Sequence, residues 1–279
     1  MYFIDTHAHL DMIKNMTPEE SLQRSLNDGV KYIINVGSSI EGSRKSVRYA
    51  RQFPDVFASV GIHPHDAEDF GESEIKILRS LIAGSEEESV GEAPLESGSR
   101  KRFKKVVAVG ETGFDFFRNL SPRTSQEKAF RAHIELATEY DLPLIIHDRD
   151  AHEEILGVLK EYSSNKNLRG VIHCFSGDLD FASRCIDIGL HISYTGVITY
   201  PNAKGLQDVV REIPIEKIFI ETDSPFLAPQ EKRGKENYPG YVKYIAQKIA
   251  ELKDLTIEEV AAVTSKNAEE FFTLAPFVK

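Results

Sequence analysis

Short runs rich in Val, Ile and Phe alternate along the chain with longer stretches whose apolar residues recur every three or four positions. The short runs predict strands over 2–8, 30–36, 56–62, 105–111, 143–147, 170–174, 190–194 and 217–222. The longer stretches predict helices near 17–28, 40–52, 72–83, 124–141, 150–162, 178–188 and 202–212, with two more near 240–253 and 256–272. Thr17-Pro18-Glu19-Glu20 and Thr256-Ile257-Glu258-Glu259 are good helix starts, each with a capping hydroxyl and acids in the first turn. Eight strands joined by crossover helices predict an α/β fold, a (β/α)₈ TIM barrel, with an extra C-terminal helix. A doubly wound open sheet is the structural alternative, but it would gather its ligands at one switch point rather than around a ring. No internal repeat or second domain is visible, so 1–279 reads as one domain.

One stretch breaks the rhythm. Residues 84–105 have no hydrophobic period and switch from acidic to basic, as a loop insertion would. Arg100, Lys101, Arg102, Lys104 and Lys105 resemble a nucleic-acid patch. In a barrel, however, this connection leads from a helix into a strand, at the face opposite the active site. A solvated loop is therefore expected there. Two other long connections, 112–123 and 224–238, fall on the active face, where loops shape substrate pockets.

The composition is that of a globular protein, 41% hydrophobic and 28% charged. No apolar run approaches the ~20 residues of a membrane span. The first ten residues already contain Asp5, His7 and His9, unlike a signal peptide. Cys174 and Cys185 do not make a disulfide scaffold, and a cytoplasmic location is expected. The formal net charge of −10 argues against broad coating of nucleic acid. It leaves room for a phosphate held locally by metal ions and a few arginines.

The candidate chemistry sits at the strand ends. His7 and His9 close the first predicted strand, and His63 and His65 the third. Glu111, His147, His173 and Asp223 close the fourth, fifth, sixth and eighth. A parallel barrel places its catalytic residues at these carboxyl ends. Side chains two apart on a strand point the same way, so His7 and His9 project together into the mouth. Buried histidines and acids need partners, and a metal supplies them. Six ligands exceed one tetrahedral site. Two cations bridged by Glu111 fit better: one with His7, His9, Glu111 and Asp223, the other with Glu111, His147 and His173. Such a pair can polarise a phosphoryl oxygen, activate water and stabilise a leaving oxygen. The mixed nitrogen and oxygen donors suit Zn²⁺ or Mn²⁺, Mg²⁺ being less fond of imidazole.

DTHAHL at 5–10, GIHPH at 61–65, GETGFDFFR at 110–118, Gln126, IHDRDA at 146–151, HCFSG at 173–177 and ETDSPFLAP at 221–229 together resemble the TatD family of metal-dependent deoxyribonucleases. The ordered set spans residue 2 to about 272. The resemblance implies a TIM barrel of the amidohydrolase-like group, two divalent metal ions (Mg²⁺, Mn²⁺ or Zn²⁺) and hydrolysis of DNA phosphodiesters from a 3′ end. It carries metal roles onto His7, His9, Glu111, His147, His173 and Asp223. Asp223 is also expected to orient or deprotonate the water, making it and Glu111 the catalytic pair. A single-stranded DNA end would enter most easily.

His65, Arg118 and Arg149 are expected at the substrate phosphates, the arginines as planar forks. Arg233 and Lys235 are further candidates, and His63 has a packing or a substrate role. Asp5 and Glu221 are expected one layer deeper, orienting a histidine. Ser176 and Gly177 read as a turn. The chain departs from the family pattern at Phe116-Phe117, where tyrosines are common. In RGKENYP at 233–239, Glu236 replaces an arginine and Tyr238 a glutamate. Both changes bear on substrate preference. The competing enzyme reading is an amidohydrolase or esterase, including D-aminoacyl-tRNA ester hydrolysis. Many binuclear relatives of that kind bridge their metals with a modified lysine, where this chain offers Glu111. A non-catalytic scaffold would have lost its ligand residues, and this chain retains them.

Overall fold

Phe3–Ala8, every residue of it buried, forms the first strand of a parallel sheet. We name it β1. It is followed by β2 (Val30–Val36), β3 (Val56–Val60), β4 (Val106–Asp115), β5 (Leu144–Arg149), β6 (Gly170–Ile172), β7 (His191–Tyr194) and β8 (Ile218–Ile220). The computed structural model describes residues 1–84, 105–165 and 168–274. The eight strands pair in chain order, all parallel. The helices between them are α1 (Pro18–Asn27), α2 (Ile40–Gln52), α3 (Glu72–Ala83), α4 (Arg123–Tyr140), α5 (His152–Glu161), α6 (Leu179–Asp187) and α7 (Lys204–Glu212). Helices α8 (Val242–Lys253) and α9 (Ile257–Phe271) follow β8. This is the expected TIM barrel with its extra C-terminal helix. Both expected capping boxes form, Thr17 with Glu20 and Thr256 with Glu259.

Backbone and side-chain bonds join β1 to the segment after β8. Asp223 N donates to His7 O (2.9 Å) and His9 N to Ser224 O (2.8 Å). Asp5 Oδ1 accepts from Thr222 N (2.9 Å), and its Oδ2 accepts from Thr222 Oγ1 (2.6 Å). Burial pushes the Asp5 carboxyl up to about 8, although the Thr222 bonds favour its charged form.

Two apolar clusters flank the ring. One contains Ile4, Tyr32, Ile34, Phe57, Val107, Ile145, Val171 and Phe219, drawn from seven of the eight strands. A cluster with so many strand donors fills the barrel interior. Phe272 and Leu274, just past the end of α9, pack into the same cluster. Ser265 of α9 donates to Tyr2 O (3.1 Å), and Tyr2 Oη to Glu269 Oε1 (2.8 Å), so α9 covers the amino end of β1. Each large apolar side chain so buried contributes about 1.5–3 kcal/mol. The carboxyl end is the one left for function.

Strand lengths depart from expectation. The fourth strand runs on past Glu111 to Asp115, because Gly113 lets β5 come close: residues Thr112 to Asp115 pair with Ile146 to Arg149. Strands β6 and β8 stop early. Just beyond them Cys174 and Asp223 adopt left-handed φ of 45° and 53°, which turns the chain out of the sheet. The Lys105 ammonium sits at the amino end, donating to the carbonyls of Pro54 (2.7 Å) and Val56 (2.9 Å). Arg100, Lys101, Arg102 and Lys104, with most of the expected insertion, lie outside the described residues. Among the described residues, no helix is long and apolar enough to cross a membrane.

Candidate metal centre

Glu111 stands in the middle of β4, buried, and its two carboxylate oxygens face different histidines. Oε2 lies 3.7 Å from His7 Nε2 and 3.9 Å from His9 Nε2. Oε1 lies 2.7 Å from His147 Nδ1, 3.3 Å from His173 Nε2 and 3.5 Å from His63 Nε2. Asp223 Oδ1 completes the first side, 3.8 Å from His7 Nε2 and 3.6 Å from His9 Nε2. Two donors on one ion at ordinary distances of about 2.1 Å lie at most about 4.2 Å apart. Each of these separations meets that limit.

Local structure explains the convergence. His7 lies within β1 and His9 just past it, with Nε2 atoms 3.2 Å apart. His9 is fixed by its Nδ1, 2.9 Å from Val36 O. His173 stacks on His7 at 3.8 Å between ring centroids. Glu221 Oε1 orients His173 through Nδ1 (2.9 Å) and also accepts from Cys174 N (2.7 Å). His7, His173 and Glu221 also lie close enough to hold an ion. That grouping is the weaker one, since Glu221 is already committed to these two partners. The better groupings are His7–His9–Glu111 and His63–Glu111–His147.

The electrostatics follow the geometry. Burial alone would raise the Glu111 carboxyl, but His63, His173 and His147 hold it well below the ordinary range, so it stays a carboxylate. Burial pushes His63 down to about 3, with His147 and His65 adding to the effect against the pull of Glu111. Burial opposes charge on His9, His147 and His173 as well, but Asp223 raises His9, Asp115 and Glu111 raise His147, and Glu221 and Glu111 raise His173. A divalent cation would therefore take these imidazoles in competition with protons.

Asp115 was not visible as a functional residue in the sequence. Fully buried, it shares strand parity with Glu111, two pleats further on. Its Oδ2 lies 2.8 Å from His65 Nε2 and 3.3 Å from His147 Nε2. His147 is thus held between Glu111 and Asp115, one at each ring nitrogen. Burial opposes the Asp115 charge, but these bonds and the one from Arg118 N keep its pKa below the usual carboxylate range. Gln126 anchors the turn behind it, accepting from Asp115 N (2.9 Å) and donating to Ser121 O (2.8 Å). Period-two counting from Glu111 was the signal that points to Asp115.

The remaining candidates divide. His65 turns Nε2 onto Asp115, which leaves Nδ1 for a substrate. His63, left between packing and substrate, faces Glu111 and His147 Nδ1 (3.3 Å). Arg118 and Arg149 are exposed at the mouth, and the Arg149 guanidinium lies 4.1 Å over the Phe117 ring. Arg233 stacks on Tyr200 at 4.5 Å. Asp5 departs from expectation: it binds backbone amides and Thr222, not an imidazole. Glu236 and Tyr238 lie on the loop after β8, as expected. The Glu236 carboxylate accepts from Lys14 N (3.0 Å) and Asn15 N (2.9 Å), and Tyr238 donates a short bond to Asp28. Both substitutions clasp the loop after β8 to the β1 side of the barrel.

A TIM barrel with clustered imidazoles and carboxylates at its carboxyl end is the architecture of a metal-dependent hydrolase. A family model described as TatD related DNase matches residues 4–273, and the chain belongs to the TatD family. It is 38% identical over 271 residues to the uncharacterized metal-dependent hydrolase YabD of Bacillus subtilis, covering 97% of this chain and 98% of that one. It is 32% identical over 259 residues to the 3′-5′ ssDNA/RNA exonuclease TatD of Citrobacter rodentium, covering 91% of each. The crystal structure of the TatD homologue YjjV from Escherichia coli K12 superposes with a TM-score of 0.85 at 29% identity, covering 98% of both chains.

Proposed function

We propose that this TatD-family hydrolase cleaves DNA phosphodiester bonds, acting from a 3′ end on single strands with two divalent ions bridged by Glu111. The observation that carries this reading is the division of the Glu111 oxygens between His7–His9 and His63–His147–His173. His7, His9, Glu111 and Asp223 would hold one ion; Glu111, His147 and His173 the other, with His63 beside them. The donor set fits Zn²⁺ or Mn²⁺ best. When bound, the ions supply Lewis acidity at the phosphoryl oxygens and an acidified water.

The chain's own residues do the rest. Asp223 Oδ1 stands beside His7 and His9, where it can orient the attacking water and take up its proton. His65 Nδ1 and the exposed guanidiniums of Arg118 and Arg149 bind phosphate oxygens at the rim. Glu221 and Asp115 keep the imidazoles in place. The name of the Citrobacter relative supports a single-stranded nucleic-acid substrate. Two free cysteines fit a reducing compartment, and we infer a cytoplasmic location.

The test is a time course on 5′-labelled single-stranded DNA, double-stranded DNA and RNA with Mg²⁺, Mn²⁺ and Zn²⁺ compared, alongside amide and ester substrates. A ladder shortening from the 3′ end of single strands is expected. Turnover of the amide or ester substrates alone would overturn the reading.

A further inference from the structure

We propose that Phe226 and Phe117 are base-stacking platforms on opposite sides of the candidate metal centre, so that a substrate needs an unpaired base on each side of the scissile phosphate. This deepens the phosphodiesterase reading and rests on it.

Among the described residues, six large apolar side chains are exposed: Met1, Leu26, Phe117, Leu120, Leu179 and Phe226. Phe117, Leu120 and Phe226 lie on connections leaving the carboxyl ends of β4 and β8, and Leu179 opens α6 after β6. Both exposed aromatics are in this set, Phe117 at 62% and Phe226 at 52% exposure. An aromatic ring open to water forgoes the burial that usually pays for it, so two at one mouth mark a binding surface.

Each ring is held in place. Phe226 follows β8, its ring centroid 6.3 Å from that of His9 at an interplanar angle of 67°. Its backbone is pinned on both sides: N donates to Asp223 O (2.9 Å), and O accepts from Nδ2 of Asn237 (2.6 Å), a fully buried residue. Phe117 follows β4, and the guanidinium of Arg149, two residues beyond His147, covers one face. A base can extend that stack on the free face of the ring, with the guanidinium edges left for phosphate.

Strands β4 and β8 stand four places apart in a ring of eight, diametrically opposed. Glu111 and Asp223 therefore lie between the two rings, and a strand crossing the mouth passes over them. The neighbouring cavity of about 550 Å³ beside Tyr200 and Asn202 does not offer an alternative path, because Asp178, Asp208 and Glu212 line it and repel phosphate. Every nucleobase has a π face, so these platforms accept any sequence. A duplex keeps its bases paired and stacked and reaches both rings only after melting.

The test uses the full chain with Mn²⁺ and a single-stranded oligonucleotide, intact or with one abasic site at the terminal or the penultimate position. Phe226→Ala and Phe117→Ala should each raise KM on the intact strand, from about fivefold to about a hundredfold. Phe226→Tyr should restore it and Phe226→Leu should not. One abasic substrate should abolish the Phe226→Ala effect and the other the Phe117→Ala effect, because the stacked base is gone. Both rings are exposed, and unchanged thermal unfolding checks that the variants fold. Unaltered KM in the alanine variants, or losses that add to the abasic losses, would overturn the platforms while leaving the nuclease standing. A wild-type chain that cleaves no oligonucleotide would remove both.

Discussion

Asp115 Oδ2, at the carboxyl end of β4, lies 2.8 Å from Nε2 of His65, in the turn that follows β3. The same oxygen reaches His147 Nε2 at 3.3 Å. A carboxylate that orients a ligand histidine typically contributes about 10- to 100-fold in metal affinity. Asp115→Asn should weaken divalent-ion binding by about that factor while the fold persists. Competition against a chelating dye measures it, and unchanged affinity would remove Asp115 from the centre.

Gly113 has φ of +140°, and a Cβ built there would meet His147 O at 2.1 Å. The position demands glycine on both counts. Gly113→Ala should push β5 away, displace His147 and cost about 3 kcal/mol or more. Chemical denaturation and metal titration of the same variant should show the two losses together. A variant as stable as wild type would show that β5 yields without cost.

His133 is fully buried, with Nε2 accepting from Ile62 N (3.0 Å) and Nδ1 2.6 Å from Ala129 O. Burial pushes its pKa down to about 4, against the Ala129 bond. The folded state therefore resists a proton that the unfolded state takes up near its ordinary value of about 6.5. The contribution of His133 to stability is fully present above about 6.5 and falls as the pH drops towards 4, by about 3 kcal/mol. Unfolding midpoints measured with EDTA present, to exclude metal release, should follow this course. His133→Gln should remove that share of the slope while His191 and His63, also depressed by burial, keep theirs, and an equal slope in the variant would assign the loss to other groups.

Glu236 spans the gap between the loop after β8 and the segment after β1 by accepting from two backbone amides. Glu236→Arg, which restores the family's residue, should lose both bonds. The site is exposed to solvent, so the cost is about 1 kcal/mol, a fall of about 2 °C in Tm. Thermal unfolding decides it; an unchanged Tm would mean that the clasp is dispensable.

The strand ends were legible because alternation and β-branched runs mark a buried parallel sheet, and His7, His147 and Asp223 stand at or next to such ends. Glu111 was found by type but misplaced: nothing in GETGFD announces that the strand continues, since its extension depends on the approach of β5 over Gly113. Asp115 is hidden in the sequence for the same reason: the predicted strand ends at 111, four residues short of the real one. The sequence leaves His63 between packing and substrate because its neighbours, Glu111 and His147, come from other strands. Asp5 and Glu221 look alike in sequence, yet one grips the β8 connection and the other an imidazole, a difference only tertiary contacts make.

Whether Glu111 joins two ions is answered most directly by electron paramagnetic resonance of the metal-stripped chain titrated with Mn²⁺. Two equivalents should give an exchange-coupled dimanganese spectrum, which Glu111→Gln should replace with isolated-ion signals. Saturation at one equivalent, or an uncoupled spectrum in the wild-type chain, would contradict a shared carboxylate.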